Sequence, residues 1–136
     1  MTADSPTTVP ARSRTAFWLG WVLSVLPALL LLFSASLKVI RPPAVAEMFA
    51  HLGWHERSLL PLGILELTCA LLLLIPRTAV LGAILVAGYM GGAIATHARL
   101  GEPFFVQAGV GLLAWLGLYL REPRLRELIP LRRPTR

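Results

Sequence analysis

Four long apolar stretches alternate with short polar segments along the chain, and their length decides how they fold. Phe17 to Leu37 runs 21 residues without a charge. As a helix rising 1.5 Å per residue that is about 31 Å, enough to cross the hydrocarbon core of a bilayer. Pro27, near its middle, predicts a kink. Leu59 to Ile75, Ala79 to Thr96 and Phe104 to Leu120 are each 17 or 18 residues long, short but sufficient for the same crossing. The pattern predicts an all-α polytopic membrane protein, a bundle of four transmembrane helices with spans 17–37, 59–75, 79–96 and 104–120, forming one membrane domain over residues 16–121.

The segments between the spans refine this picture. Pro76-Arg77-Thr78 is a tight turn, so the second and third spans must be antiparallel neighbours. The longer connection from Lys38 to Ser58 has its own pattern: after Pro42-Pro43, residues Val45, Met48, Phe49 and Leu52 fall at i, i+3, i+4 and i+7, with Gly53 as a stop. That spacing predicts a short interfacial helix between spans 1 and 2, and Trp54 just beyond it suits the headgroup level. Residues 1–15 lack periodicity and read as a disordered tail, and residues 122–136 as a basic tail. In the latter, Leu125, Leu128 and Ile129 share one helical face that suits the inner leaflet.

Composition agrees with a lipid environment. The chain is 56% apolar and only 15% charged, too apolar for a soluble domain that must cover itself in polar surface. The net charge of +6 gathers beside apolar spans rather than in basic patches, which excludes nucleic acid as a partner and points to lipid headgroups. Nine Lys and Arg lie in the tails and at Arg77, against four in the other two loops. That asymmetry places both termini on the cytoplasmic side of a cell (inner or plasma) membrane, with Trp18, Trp21, Trp115 and Tyr119 as its aromatic belt. The lone cysteine, Cys69, lies inside an apolar run, so disulfide and CxxC chemistry within the chain are excluded.

Candidate chemistry begins with Glu66, at the centre of the second span. A carboxylate near the midplane is costly unless it faces the bundle interior and is neutralised by a proton or a cation. Tyr89, at similar depth on the third span, is a donor that can reach it. Toward the outer face, Ser34, Ser36, Lys38, Thr96, His97, Arg99, Glu102 and Gln107 bring polar groups from three helix ends, predicting an outward-opening pocket with Glu66 at its floor. Lys38, at the end of a span, is expected to snorkel to the headgroups when read by itself. His51 and His55 are four apart but have no third ligand or HExxH context, so no metal site is expected. Gly82, Gly88, Gly91 and Gly92 are small residues that let helices pack closely in the bundle, with self-association through the same face as the alternative.

Several segments together resemble the DoxX-like family: Ser36-Leu37-Lys38, the run Leu62-Gly63-Ile64-Leu65-Glu66-Leu67, and Pro76-Arg77-Thr78-Ala79 with Leu81-Gly82-Ala83. Gly91-Gly92-Ala93-Ile94-Ala95-Thr96-His97-Ala98-Arg99 and the segment from Trp115 to Arg121 extend the resemblance over roughly residues 17 to 130. It implies that Lys38, Glu66, His97 and Arg99 are family-type polar positions and that a quinone or similar lipid headgroup is the ligand to expect. The family takes its name from a small membrane subunit of an archaeal thiosulfate:quinone oxidoreductase or terminal quinol oxidase, so a membrane redox partner is implied too.

The spans hold no haem-ligand pair and the chain no flavin fingerprint, so no catalytic residue is assigned, no covalently bound cofactor is expected, and electrons would pass through a partner. The leading expectation is therefore an accessory subunit of a redox or stress-protection assembly, binding a quinone-like or other apolar small molecule near Glu66, Tyr89, His97, Arg99, Lys38 and Gln107. A small transporter or proton/cation-conducting protein using Glu66, and a purely structural membrane protein, are the alternatives; a homo-oligomer fits the transporter.

Overall fold

The structure, a computed structural model, describes residues 13–128. Helix α1 (Arg14–Ile40) is followed by α2 (Pro43–His51), a 3-10 turn at Glu56–Ser58, α3 (Leu59–Leu74), α4 (Ala79–Arg99), α5 (Phe105–Arg121) and α6 (Pro123–Leu128). No strand occurs among the described residues. Helices α1, α3 and α4 are long and apolar enough to cross a membrane, and α5 is an apolar helix of 17 residues.

The helices form a closed ring in which α1 packs on α3 and α5, and α4 packs on the same two. Each presents an inward stripe at helical spacing: Ser24, Ala28, Leu31 and Ala35 on α1, Cys69, Ala70 and Leu73 on α3, Ala83, Val86 and Met90 on α4, Val110, Ala114 and Leu118 on α5. The stripes are rich in small side chains, which is how helices gain contact when lipid outside is as apolar as the core. The outward faces carry Val22, Leu29, Phe33, Ile64, Ile84, Phe105 and Leu112, all exposed. So much outward apolar surface suits a protein solvated by lipid, since a soluble monomer rarely exposes patches of that extent.

Two crossings set the close distances. On α4, a Cβ at Gly82 would sit 2.3 Å from the Leu73 backbone nitrogen of α3. On α5, a Cβ at Gly117 would fall 2.8 Å from the Gly20 carbonyl of α1. Gly88, Gly91 and Gly92 behave differently from the expected close packing: nothing lies within 4 Å of a Cβ at any of them. They occupy the face of α4 opposite Val86 and Met90, so within one chain they pack against nothing.

The element boundaries shift in ways the chain's chemistry explains. Helix α1 opens at Arg14, inside the segment read as a tail, because Ser13 Oγ accepts the Ala16 N–H as an N-cap. It continues through Pro27, which is buried. Beyond α5, Leu125 of α6 is buried against the core, so this helix folds back onto the bundle rather than offering Leu125 to the leaflet. Arg126 pins it there by donating to the Tyr119 and Leu120 carbonyls at 2.9 and 2.6 Å, which have no helical partner of their own. Ile129 and most of the expected N-terminal tail lie outside the described residues.

Candidate functional site

Helices α1 and α3 meet where Gly63 faces Lys38. A Cβ at Gly63 would stand 3.1 Å from the Lys38 Cβ, so glycine there lets the lysine stem lie against α3. Because the helices are antiparallel, the turn after Gly63 leads deeper into the bundle and carries Glu66. Lys38 follows it inward. Its Nζ donates to Glu66 Oε2 at 2.6 Å and to Ser34 Oγ at 2.6 Å, and both charged side chains are buried. The expected snorkelling of Lys38 toward the headgroups does not occur, because a carboxylate one turn deeper offers a stronger partner than water does from that position.

Tyr89 of α4 and Ser34 of α1 also interact with the Glu66 carboxyl. Gln107 lies one turn before Val110 on the inward stripe of α5, and its Oε1 is buried with no hydrogen-bond partner. The cluster thus holds an ammonium, a carboxyl and two hydroxyls. Such a set can both donate to a carbonyl and accept from a hydroxyl on a small molecule.

Helix α2 closes the end of this cluster. Phe49 is buried, with its ring 5.6 Å from Lys38 Nζ, a separation at which a cation is drawn to the ring face. Leu52 is buried too, and of the predicted apolar face only Met48 is largely exposed. Two polar ties hold α2 down. Arg99 donates to the Leu52 carbonyl at 2.8 Å, and His51 Nε2 lies 2.7 Å from Glu102 Oε1, whose other oxygen is 3.0 Å from His97 Nδ1. His97 and Arg99 therefore serve the cover of the site and not its floor: His97 orients Glu102, and Arg99 is exposed and turned toward the segment after α2. No group of three metal-ligating side chains arises among the described residues.

The hydrogen bonds from His51 and then His97 hold the Glu102 carboxyl below the ordinary carboxylate range. A carboxyl with a lowered folded pKa contributes stability that is complete above its unfolded value and is lost as the pH falls through the folded one. The tie to α2 is therefore expected to hold at neutral pH and to loosen only as the pH drops below about 4. Amide exchange over Pro43–Gly53, corrected for intrinsic rates, should rise in that range, and Glu102→Gln should show the faster exchange already at pH 7. Equal exchange in both proteins at pH 7 would remove this tie from the account.

At the far end of the bundle is a charge that sequence reasoning counted with the tail. Arg121 is buried, its guanidinium 4.4 Å from the Trp21 ring, and it donates to the Leu73 carbonyl. That carbonyl belongs to the last turn of α3, where no helical donor remains for it. The signal in the sequence was the aromatic at Trp21, but only the ring order of the helices brings it to Arg121.

The sequence profile of the DoxX-like family matches residues 22–118, from the start of the α1 stripe to the end of the α5 stripe. The chain belongs to the DoxX-like family. The matched range contains Lys38, Glu66, Tyr89, His97, Arg99 and Gln107, so the whole DoxX-like cluster and its α2 cover fall within the region that defines membership. No curated protein and no solved structure matches the chain.

Proposed function

We propose that this DoxX-like membrane protein is an accessory subunit of a membrane redox or stress-protection assembly, and that it binds a quinone-like apolar molecule at the Lys38–Glu66 pair. It crosses a cell membrane four times as one domain over residues 16–121, with its tails, 1–15 and 122–136, on the cytoplasmic side. The observation that carries the reading is the buried ion pair itself, joined by Ser34 and Tyr89. Burying two charges is costly, and apolar residues of the same volume would hold helices together as well or better. A pair kept in lipid despite that cost fits recognition of a polar group on an otherwise apolar ligand. Lys38 or Tyr89 would donate to a quinone carbonyl, Glu66 would accept from a quinol hydroxyl, and α2 would cover the entrance. The Lys38 ammonium already fills the place a transported cation would take, which ranks conduction through Glu66 behind binding.

One specific observation favours a purely structural role: Lys38 is already satisfied by Glu66 and Ser34. Native mass spectrometry of the detergent-purified protein beside Glu66→Gln separates the two. A bound quinone or co-purifying redox protein that disappears in the variant is the expected result. A bare chain, identical in both forms, would leave the structural role.

A further inference from the structure

The open face of α4 runs into a cavity that the ion pair does not line and that shares Arg99 with the α2 cover. Gly53, Trp54, Ala95, Thr96 and Arg99 line it, and its volume is about 380 Å³. We infer that this face binds one anionic phospholipid, with the headgroup phosphate on Arg99 and an acyl chain laid along Gly88, Gly91, Gly92 and Ala95. The inference does not rest on the quinone reading, since the cavity holds neither Lys38 nor Glu66.

Arg99 is prepared for an anion. Its bond to the Leu52 carbonyl, 2.8 Å long, fixes the guanidinium, and no carboxylate pairs with it among the described residues. One of five N–H donors is engaged there and the rest remain for a phosphate. Gly53 makes the arrangement possible. Its φ of +81° suits glycine, and a Cβ there would press to 3.0 Å from the Arg99 guanidinium nitrogen. Trp54, 41% exposed on the same cavity, is the ring type that settles at the headgroup level.

The stripe below matches a lipid chain in length and shape. Arg99, Ala95, Gly92, Gly91 and Gly88 recur at helical spacing on one face, and the three glycines meet nothing within 4 Å. The eleven helical steps from Gly88 to Arg99 rise about 16 Å, roughly the hydrocarbon depth of one leaflet. A headgroup at Arg99 therefore places its chain end near Gly88, about the midplane. A second copy of the chain is the other occupant a glycine face admits, but a parallel pair through this stripe would set two Arg99 guanidiniums side by side. An anion is attracted where a second copy is repelled.

The test is native mass spectrometry in detergent with added phosphatidylglycerol or phosphatidylcholine of matched chains. One retained phosphatidylglycerol is expected, preferred over phosphatidylcholine, and glycerol phosphate without chains should not displace it. Arg99→Gln should weaken retention about fivefold, the scale of one basic contact with an anionic headgroup. Arg57→Gln, which removes an exposed charge at the same end of the bundle, should leave it unchanged. Gly92→Leu, which meets open space and so preserves the fold, should lower retention of both lipids. Equal losses from Arg99→Gln and Arg57→Gln would replace the site with diffuse charge attraction. Displacement by glycerol phosphate, or retention unaltered in Gly92→Leu, would take the chain off the stripe. A dimer that Gly92→Leu abolishes would give the face to a second copy.

Discussion

Lys38→Met, with Glu66 left in place, is expected to destabilise the protein by about 3 to 5 kcal/mol, the largest effect of any single substitution considered. The cost comes less from losing the attraction than from stranding a buried carboxyl without its cation. Glu66→Leu alone should cost a similar amount by stranding Lys38, which has only Ser34 left to bond. The double variant Lys38→Met/Glu66→Leu removes both charges and both desolvation penalties, so it should recover most of the loss. Reversible unfolding in mixed micelles would read all four proteins as one thermodynamic cycle. If the double variant were as stable as the wild type yet carried no small molecule through purification, the pair would serve binding and not folding. Additive losses would show that Lys38 and Glu66 act separately, and the ion pair would then explain neither.

Gly82→Ala should rank second. Its new methyl would fall 2.3 Å from the Leu73 nitrogen and 2.5 Å from the Leu72 carbonyl carbon, both backbone atoms that cannot turn aside. Helices α3 and α4 would have to part along the crossing set by the turn at Pro76-Arg77-Thr78, and overpacking of this kind costs about 1 to 3 kcal/mol or somewhat more. Gly91→Ala supplies the comparison on the same helix, since a methyl there meets nothing within 4 Å. It should change stability by less than about 0.5 kcal/mol. Similar effects from the two would contradict the packing of α4 described above.

These glycines show where sequence reading stops. Gly82, Gly88, Gly91 and Gly92 look alike in a string of apolar residues, and small-residue spacing predicts close packing for all of them. The helix has two faces, and only its rotation against α3 decides that Gly82 turns to a neighbour while the other three turn outward. Lys38 makes the same point for charge. At the end of a span it reads as a snorkelling lysine, and its inward turn depends on Gly63 and Glu66 lying across the α1–α3 crossing. Arg121 was legible as a basic residue after a span, but not as a buried one, because Trp21 is a hundred positions earlier in the chain.

Other features were legible without tertiary information. The helix at Pro43–His51 followed from i, i+3, i+4 and i+7 spacing, which read it as interfacial, and Glu66 was marked by being ionisable in an apolar run. Tyr89 was reached from Glu66 by depth alone, since both lie mid-span on helices joined by a tight turn.

The sequence by itself determined that the chain is helical, apolar and built for lipid, where its helices begin and end to within a few residues, and that Glu66 is the residue to explain. Those properties are local: they depend on run length, on hydrogen bonds within a helix and on the identity of one residue. Only the tertiary structure decided that Lys38 is the cation for Glu66, that α2 covers the pair, that Arg99 faces a separate cavity and that one face of α4 is left open. Each of these depends on how helices rotate and cross, which is set by the sum of many weak contacts between distant parts of the chain.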